Sequence, residues 1–275
     1  MQSIRLLSSW RPVATRAASR GAGCWRRPIF QGIGTRPAGS IYAVEEAEER
    51  TLEAIRIISP ELTSRQRKKL KAAIAEEGRM EELAKSLKAS SKSMVFSVDV
   101  EKYESGNEIL EVGVAVYVPH TPTILAYHFI VSDNLHLSNG RFVKDNRHKF
   151  LYGESIHIPL KSLQYVLARY FSSLRELFDS CTLVGHSIQN DIAWLNTIDL
   201  HIPRDTPVLD IADVWMARYN QATVQTSSLK KMLTALEITA PAPHNGGNDA
   251  YHTLKVALEM MEIYVDLSLR VNGEV

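Results

Sequence analysis

Three stretches of alternating apolar and polar residues follow one another between residues 94 and 131. They read MVFSVDVE, ILEVGVAVYV and TILAYHFIV, and all three are rich in β-branched or aromatic residues. Such alternation is typical of strands with one face toward a core. Turn-forming residues separate the stretches, SGN before the second and PHTP before the third. The pattern therefore predicts an antiparallel meander of three strands.

After the third strand the pattern alternates between helices and strands. A helical apolar period runs from Leu160 to Phe178, and further helices are predicted at IAWLNTI, ADVWMARY and SSLKKMLTALEI. The short apolar runs CTLVGH and PVLDI predict strands, and DAYHTLKVALEMMEIYVDLSL predicts a long final helix. A meander followed by such units indicates an α/β fold, with a mixed sheet and flanking helices.

Two segments fall outside this alternation. HLSNGRFVKDNRHKFLYGES, after the third strand, predicts a loop that is long for a compact domain, which makes it a candidate functional loop. Residues 45–93 contain three helical stretches, of which the second begins near Thr63 or Ser64 and ends at Gly78. Because their apolar faces are thin, we expect a helical extension that docks on the main body or on a partner protein.

Residues 1–44 differ in composition from the rest of the chain. They contain seven arginines but no lysine, aspartate or glutamate. An acid-free segment rich in arginine, serine and alanine is typical of a mitochondrial transit peptide, whereas a secretory signal needs an unbroken apolar core. We therefore expect import into the mitochondrial matrix. A disordered basic tail that contacts nucleic acid is the alternative.

The remaining composition excludes several kinds of protein. The two cysteines, Cys24 and Cys181, form no CxxC motif, so neither a disulfide framework nor a zinc site is expected. No run of about 18 apolar residues occurs, so no transmembrane helix and no membrane partner are expected. Without the seven N-terminal arginines, 25 basic residues face 31 acidic ones. This balance disfavours a broad basic surface for long duplexes.

Three acids near strand ends are candidates for a metal site. Asp99 and Glu101 stand two residues apart at the end of the first strand, so both side chains leave the same face of the sheet. Burying two carboxylates together is costly, and hydrated divalent cations would remove that cost. Asp191 follows the strand CTLVGH, at the kind of strand end where α/β proteins place functional sites. Taken alone, these acids also fit a solvated strand end or a helix N-terminus.

The stretch HNGGND adds a histidine and a fourth acid. His244 stands five residues before Asp249, which begins the final predicted helix. Gly246 and Gly247 allow the backbone to approach a substrate closely. A polar loop that starts a helix is the alternative interpretation of this stretch.

Together, FSVDVE, VGHSIQND and HNGGND resemble the three motifs of the DEDDh family of 3′–5′ exonucleases. The related DEDDy group has a tyrosine four residues before the last acid, where this chain has Asn245. The form HNGGNDAYHT resembles a fungal branch of DEDDh-like proteins. The resemblance extends from Met94 to about Leu267 and implies an RNase H-like fold.

The resemblance also implies a chemistry. Asp99, Glu101, Asp191 and Asp249 would hold two Mg²⁺ or Mn²⁺ ions, and His244 would be the general base for an attacking water. The implied activity is metal-dependent 3′–5′ hydrolysis of single-stranded or short RNA or DNA to nucleoside 5′-monophosphates. The alternative is a weak or inactive exonuclease-fold module that binds nucleic acid or protein in a mitochondrial nucleoprotein complex. In that case residues 45–93 would be the element that docks on the partner.

Some positions depart from the family pattern, so the resemblance does not determine which substrate is bound. Asn190 precedes Asp191 where an aromatic residue is usual, and Tyr103 lies in a segment that replaces the usual Thr/Gly pattern. In relatives that segment lies by the terminal nucleotide, so Tyr103 is predicted to stack on a base, with a half-buried tyrosine as the alternative. Asn245 and Gly246 are the other predicted substrate contacts. The predicted organisation is a transit peptide at 1–44, a helical extension at 45–93 and an exonuclease domain at 94–275.

Overall fold

A computed structural model of the chain describes residues 61–119, 121 and 123–263. The transit peptide predicted at 1–44, the first helix predicted after it and the end of the final helix lie outside these residues. Within the described part, no helix is long and apolar enough to cross a membrane.

The centre of the fold is a six-stranded mixed sheet. Its strands are β1 (Ser93–Lys102), β2 (Ile109–Tyr117), β3 (Leu125–Val131), β4 (Ser155–Ile158), β5 (Ser180–Gly185) and β6 (Val208–Asp210). They lie in the order β4-β3-β2-β1-β5-β6. β1, β2 and β3 pair antiparallel, while β4 pairs parallel to β3, β5 to β1 and β6 to β5. The predicted meander is therefore confirmed, as is the RNase H-like α/β class.

The helices of the described residues are α1 (Ser64–Ala89), α2 (Leu160–Leu177), α3 (Gln189–Thr197), α4 (Ile211–Tyr219), α5 (Leu229–Ala235) and α6 (Gly246–Met260). A short 3₁₀ turn spans Ser132–Asn134. Side chains cap several of the N-termini: Thr63 forms a capping box with Gln66 on α1, and Ser228 accepts the Lys231 N–H on α5. These caps satisfy N–H groups that a helix start leaves unpaired.

The two faces of the sheet carry separate cores. From β1, Val95 packs with α4 and α6, whereas Met94, Phe96 and Val98 pack with α2 and α3. Because side chains alternate along a strand, the odd-numbered positions of β1 share the face covered by α6. The buried Ser97 follows that rule and donates from Oγ to the Ala250 carbonyl of α6 at 2.6 Å. The next odd-numbered residues along β1 are Asp99 and Glu101.

Helix α1 packs against the α/β body, and it continues past Gly78, where the sequence predicted an end. Met80 and Leu87 lie in the same apolar cluster as α4 and α6, and Glu77 forms an ion pair with Arg218 of α4 at 2.9 Å. A methyl group at Gly78 would meet no atom within 4 Å, so this glycine stands on an open face. A glycine inside a helix costs about 1 kcal/mol relative to alanine, which tertiary packing on both sides outweighs here.

The long loop after β3 ends in a strand that the sequence pattern did not predict. β4 has four residues, Ser155–Ile158, and pairs only with β3, at the edge of the sheet. Two of its four residues are exposed, so its hydrophobic pattern is weak. Its extended conformation depends on hydrogen bonds to a strand more than 20 residues away in sequence, and local periodicity carries no signal of that pairing.

Candidate active site

Asp99 and Glu101 lie together on the α6 face of β1, as the sequence predicted. In the β1–β2 ladder Asp99 is opposite Gly113 and Glu101 is opposite Glu111. The register shifts between Glu101 and Lys102, so regular pairing with β2 is interrupted at that point. Both carboxylates therefore sit at the carboxyl end of β1, on the face where α6 begins.

Asp191 approaches these two acids from the other side of β1. The pairing of β1 with β5 ends at Ser97, and the chain after β5 turns into α3. Beyond that point the Val100 N–H donates to Asp191 Oδ1 at 2.9 Å instead of to a strand. The Asp191 carboxylate thus accepts the bond from β1 that a further residue of β5 would otherwise accept, and this bond holds it beside Asp99 and Glu101.

His244 and Asp249 meet across the first turn of α6. The His244 backbone N–H donates to Asp249 Oδ2 at 2.7 Å, while His244 has a φ of +60° and an exposed side chain. Single potential ligand atoms of Glu101, His244 and Asp249 lie within 4.8 Å of one another. The structure therefore brings the motif of residues 244–249 onto the acids of β1.

Two glycines make this approach possible. A Cβ on Gly113 would overlap the carbonyl oxygen of Gly246, and a Cβ on Gly246 would lie 3.1 Å from the Gly113 nitrogen and 3.4 Å from the Asp99 oxygen. The start of α6 thus rests on β1 and β2 backbone to backbone. The contact places Asp249 and His244 directly above the strand that carries Asp99.

Burial and neighbouring negative charges raise the pKa values of these acids. Burial raises the pKa of Asp99 well above its usual range, and the charges of Asp191, Glu101 and Asp249 raise it further. Burial and the neighbouring Glu111 raise the pKa of Glu101 to about 8. Burial raises the pKa of Asp191 to about 7, although the Val100 N–H bond opposes that shift. Such clustering of like charges is unfavourable without a cation and is typical of functional sites.

The four carboxylates offer several closely spaced oxygen ligands, and such a group suits a hard divalent cation. Carboxylate oxygens are the ligands that such cations prefer, and a dication would reverse the repulsion that raises the pKa values of these acids. The group formed by Glu101, His244 and Asp249 is already compact enough to share one ion. The residues present therefore fit a divalent metal.

Glu111 is a fifth acid at the site, and the sequence reasoning missed it. It is only 3% exposed, its Oε2 accepts the His128 Nε2 at 2.8 Å, and it also accepts the Gly246 N–H at 3.2 Å. Ser155 bonds the other ring nitrogen of the buried His128 at 2.8 Å. Glu111 therefore fixes the first N–H of α6. A signal was present, because Glu111 is the only charged residue in ILEVGVAVYV.

The three predicted substrate contacts have different surroundings. Asn245 is fully buried, caps α6 by accepting the Asn248 N–H at 3.0 Å and donates to the carbonyls of Asn146 and Arg147. Gly246 is buried against Gly113. Both residues therefore build the turn and face protein in this structure, and their contacts with substrate stay predictions. Tyr103 is half-buried at the β1–β2 hairpin, where its N–H donates to the Glu108 carbonyl at 2.8 Å.

His186 and Asp210 support the Asp191 segment from behind. His186 Nε2 lies 2.7 Å from the Ser227 carbonyl, which is the behaviour of a structural histidine. Asp210 accepts the Ser187 N–H at 3.0 Å and caps α4 by accepting the Ala212 N–H at 2.9 Å. Ser187 has a φ of +56°, so this bond holds an unusual backbone conformation in the turn before α3.

Comparison with known families agrees with this geometry. Residues 94–260 match the family described as DNA polymerase III subunit epsilon-like, C-terminal domain, a DEDDh domain. The chain belongs to the DEDDh exonuclease family. The match covers β1 to α6 and so includes all four acids and the histidine described above. Members of the DEDDh family generally use divalent metals, in keeping with the donor set found here.

Three fungal proteins are similar in sequence to this DEDDh protein. Uncharacterized protein YDR514C of Saccharomyces cerevisiae is 31% identical over 210 residues, which is 63% of this chain and 42% of that protein. Good for full DBP5 activity protein 2 of the same yeast is 29% identical over 229 residues, covering 69% and 40%. Uncharacterized nucleolar protein C2C4.08 of Schizosaccharomyces pombe is 32% identical over 169 residues, covering 59% and 67%. The chain thus spans about two fifths of the two Saccharomyces proteins.

Proposed function

We propose that this DEDDh protein is a metal-dependent 3′–5′ exonuclease that removes nucleoside 5′-monophosphates from single-stranded or short RNA or DNA. The observation that carries the proposal is the meeting of Asp99, Glu101, Asp191 and Asp249 with His244 at one end of β1. Five groups converge from three segments of the chain, and each would have a role in phosphodiester hydrolysis.

The four acids would hold two Mg²⁺ or Mn²⁺ ions. When bound, such ions neutralise the carboxylates, polarise the phosphodiester and make water easier to deprotonate. Asp191 is held by the Val100 N–H and Asp249 by the His244 N–H, so two of the four carboxylates are oriented by backbone groups before any ion binds. Little reorganisation is needed, which favours tight and specific ion binding.

His244 would take the proton from the attacking water. Its imidazole is exposed and free to reach substrate, whereas its backbone is held by the bond to Asp249. An imidazole changes charge near neutral pH, so it can accept a proton in one step and release it to solvent afterwards. A fixed backbone and an exposed imidazole suit a general base that acts on a water beside the four acids.

The test is a substrate panel with the full chain. Single-stranded RNA, single-stranded DNA, a blunt duplex and a dinucleotide, labelled at the 5′ end, are incubated with Mg²⁺, Mn²⁺ or EDTA. We expect progressive shortening of a single strand from its 3′ end, release of 5′-monophosphates and no reaction in EDTA. Absence of monophosphate release from all four substrates with both ions would contradict the proposal.

A binding module without turnover is the second candidate. The relative named Good for full DBP5 activity protein 2 bears a name that refers to the activity of another protein. In this alternative the chain binds a nucleic acid or a protein in a mitochondrial nucleoprotein complex, and residues 45–93 are the docking element. This candidate predicts equal strand binding in Mg²⁺ and EDTA without monophosphate release, so the same panel separates the two functions.

We propose the mitochondrial matrix as the location, because residues 1–44 have the composition of a transit peptide. The Schizosaccharomyces relative is named a nucleolar protein, which makes the nucleolus the alternative to test. Residues 1–44 fused to a fluorescent reporter are expected to direct it to mitochondria. Replacing the seven arginines of the segment by glutamine should abolish import, and reporter in the nucleolus or cytosol with the unchanged segment would refute the assignment.

A further inference from the structure

A groove of about 650 Å³ opens beside His244, next to the acid cluster. One wall comes from residues 144–151 of the loop before β4, and the other from residues 241–244 before α6. His244 lines the groove and also belongs to the compact group with Glu101 and Asp249. The groove is therefore continuous with the proposed catalytic site.

The two walls are fastened to each other by asparagine side chains. Asn146 Nδ2 donates to the Pro243 carbonyl at 2.6 Å, which joins one wall directly to the other. From the start of α6, Asn248 Nδ2 donates to the carbonyls of Lys149 at 2.9 Å and Ala242 at 3.1 Å, one on each wall. The shape of the groove is thus formed in advance, which lowers the entropic cost of binding a ligand.

The groove has the charge that a phosphate chain requires. Lys144, His148 and Lys149 are exposed on one wall, and none of the described residues that line the groove is acidic. Phe150 adds an apolar surface and is held in place against His128, with ring centroids 5.2 Å apart. Lysines that track phosphates beside an aromatic side chain are the usual components of single-strand binding.

Asn146 provides a second and independent sign of a ligand. Its bond to the Pro243 carbonyl identifies the Nδ2 atom, so the remaining atom, Oδ1, is an acceptor. This Oδ1 is buried and has no hydrogen-bond partner among the described residues, and the residue is only 4% exposed. An unpaired buried acceptor is destabilising, and a ligand donor such as a base N–H or a ribose 2′-hydroxyl would pair with it.

We propose that this basic groove binds the nucleotides that precede the terminal one of a single strand. Lys144 and Lys149 contact their phosphates, and Phe150 contacts a base. The inference rests on the proposed exonuclease function, because it takes the acid cluster as the position of the terminal phosphodiester. It adds that affinity for a strand comes from the loop before β4, a part of the chain separate from the catalytic acids.

The test compares Lys144→Ala/Lys149→Ala with Lys88→Ala/Lys161→Ala, in which two exposed lysines of α1 and α2 are lost instead. The substrates are a ten-nucleotide single strand and the p-nitrophenyl ester of thymidine 5′-monophosphate, which reaches only the catalytic site. For the groove variant we expect KM for the strand to rise about tenfold and the salt dependence of binding to weaken by about 1.4 in log–log slope. Turnover of the ester should stay within about twofold of the unchanged protein, as for the control variant.

Strand affinity measured by fluorescence anisotropy in EDTA separates the two proposals. Binding about tenfold weaker in the groove variant alone supports the groove, whether or not the protein turns over substrate. Equal strand affinity of the groove variant and the unchanged protein overturns the proposal that the groove binds the strand, even when the protein trims the strand efficiently. Lack of turnover of both substrates by the unchanged protein counts against the exonuclease function only.

Discussion

Replacement of Asp99 by asparagine is expected to reduce 3′-end trimming on the order of a thousandfold. Asparagine preserves the size of the side chain but removes one negative charge from the centre of the four-acid cluster. The loss of a ligand acid weakens a charge stabilisation worth several kcal/mol, and each 1.4 kcal/mol corresponds to about tenfold in rate. Release of 5′-monophosphate from a labelled single strand in Mg²⁺ or Mn²⁺ measures the effect.

His244→Ala should have a different signature in the same assay. General-base catalysis contributes about 10²- to 10⁴-fold, and the missing base is partly replaced by hydroxide as the pH rises. We therefore expect a rate deficit that narrows toward high pH for His244→Ala and stays constant for Asp99→Asn.

Asp199→Asn is the matched control for these variants. Asp199 is exposed in the turn after α3, and its φ of +52° is a conformation that asparagine adopts readily. The control should trim at the unchanged rate. Full activity of Asp99→Asn, or an equal loss in Asp199→Asn, would contradict the assigned role of the acid cluster.

Without divalent cations, the folded protein is expected to lose stability as pH rises from about 4 to about 8. Glu101 and Asp191 have pKa values of about 8 and about 7 when folded, against 4.5 and 3.8 as ordinary values. Between these limits the folded chain retains protons that the unfolded chain has released. Stability must then fall with rising pH, by up to about 1.4 kcal/mol per pH unit for each retained proton. Thermal unfolding in EDTA across this range measures the fall.

Two comparisons isolate the acid cluster as the cause. Mg²⁺ or Mn²⁺ should raise Tm strongly at pH 8 and little at pH 5, because protons occupy the acids at the lower pH. Glu101→Gln should flatten the pH dependence in EDTA, while Glu108→Gln, an exposed neighbour in the same hairpin, should leave it unchanged. An equal effect of the cations at both pH values would refute the electrostatic account.

The sequence predicted those parts of the fold and of the site that depend on a short local pattern of residues. The two-residue spacing of Asp99 and Glu101 in an alternating strand predicted their shared face, and the ladder confirms it. The sequence also placed Asp249 at the start of the final helix; α6 begins three residues earlier, at Gly246, and the His244 backbone N–H bonds Asp249 there. The helix, strand and meander predictions rest on the same short-range periodicity, which survives folding because each face meets one core.

Features that depend on distant partners were not predictable in this way. β4 is a strand only because β3 pairs with it. The side chain of Asn245 in HNGGND donates to the carbonyls of Asn146 and Arg147, about 100 residues away, and nothing in the local sequence indicates these bonds. Gly78 resembled a helix end because glycine commonly follows the last helical residue, and the docking of α1 on α4 explains why the helix continues.

The contact between Gly113 and Gly246 sets how closely α6 approaches the sheet beside the acid cluster. Main-chain atoms of β2 meet the first turn of α6 there, and the backbone oxygen of Asp99 on the neighbouring β1 is also close to Gly246. A side chain at Gly113 or Gly246 would push the two backbones apart, whereas substitution of the acids changes charge and hydrogen bonding. The separation of α6 from the sheet beside the acids is therefore a property of the main chain.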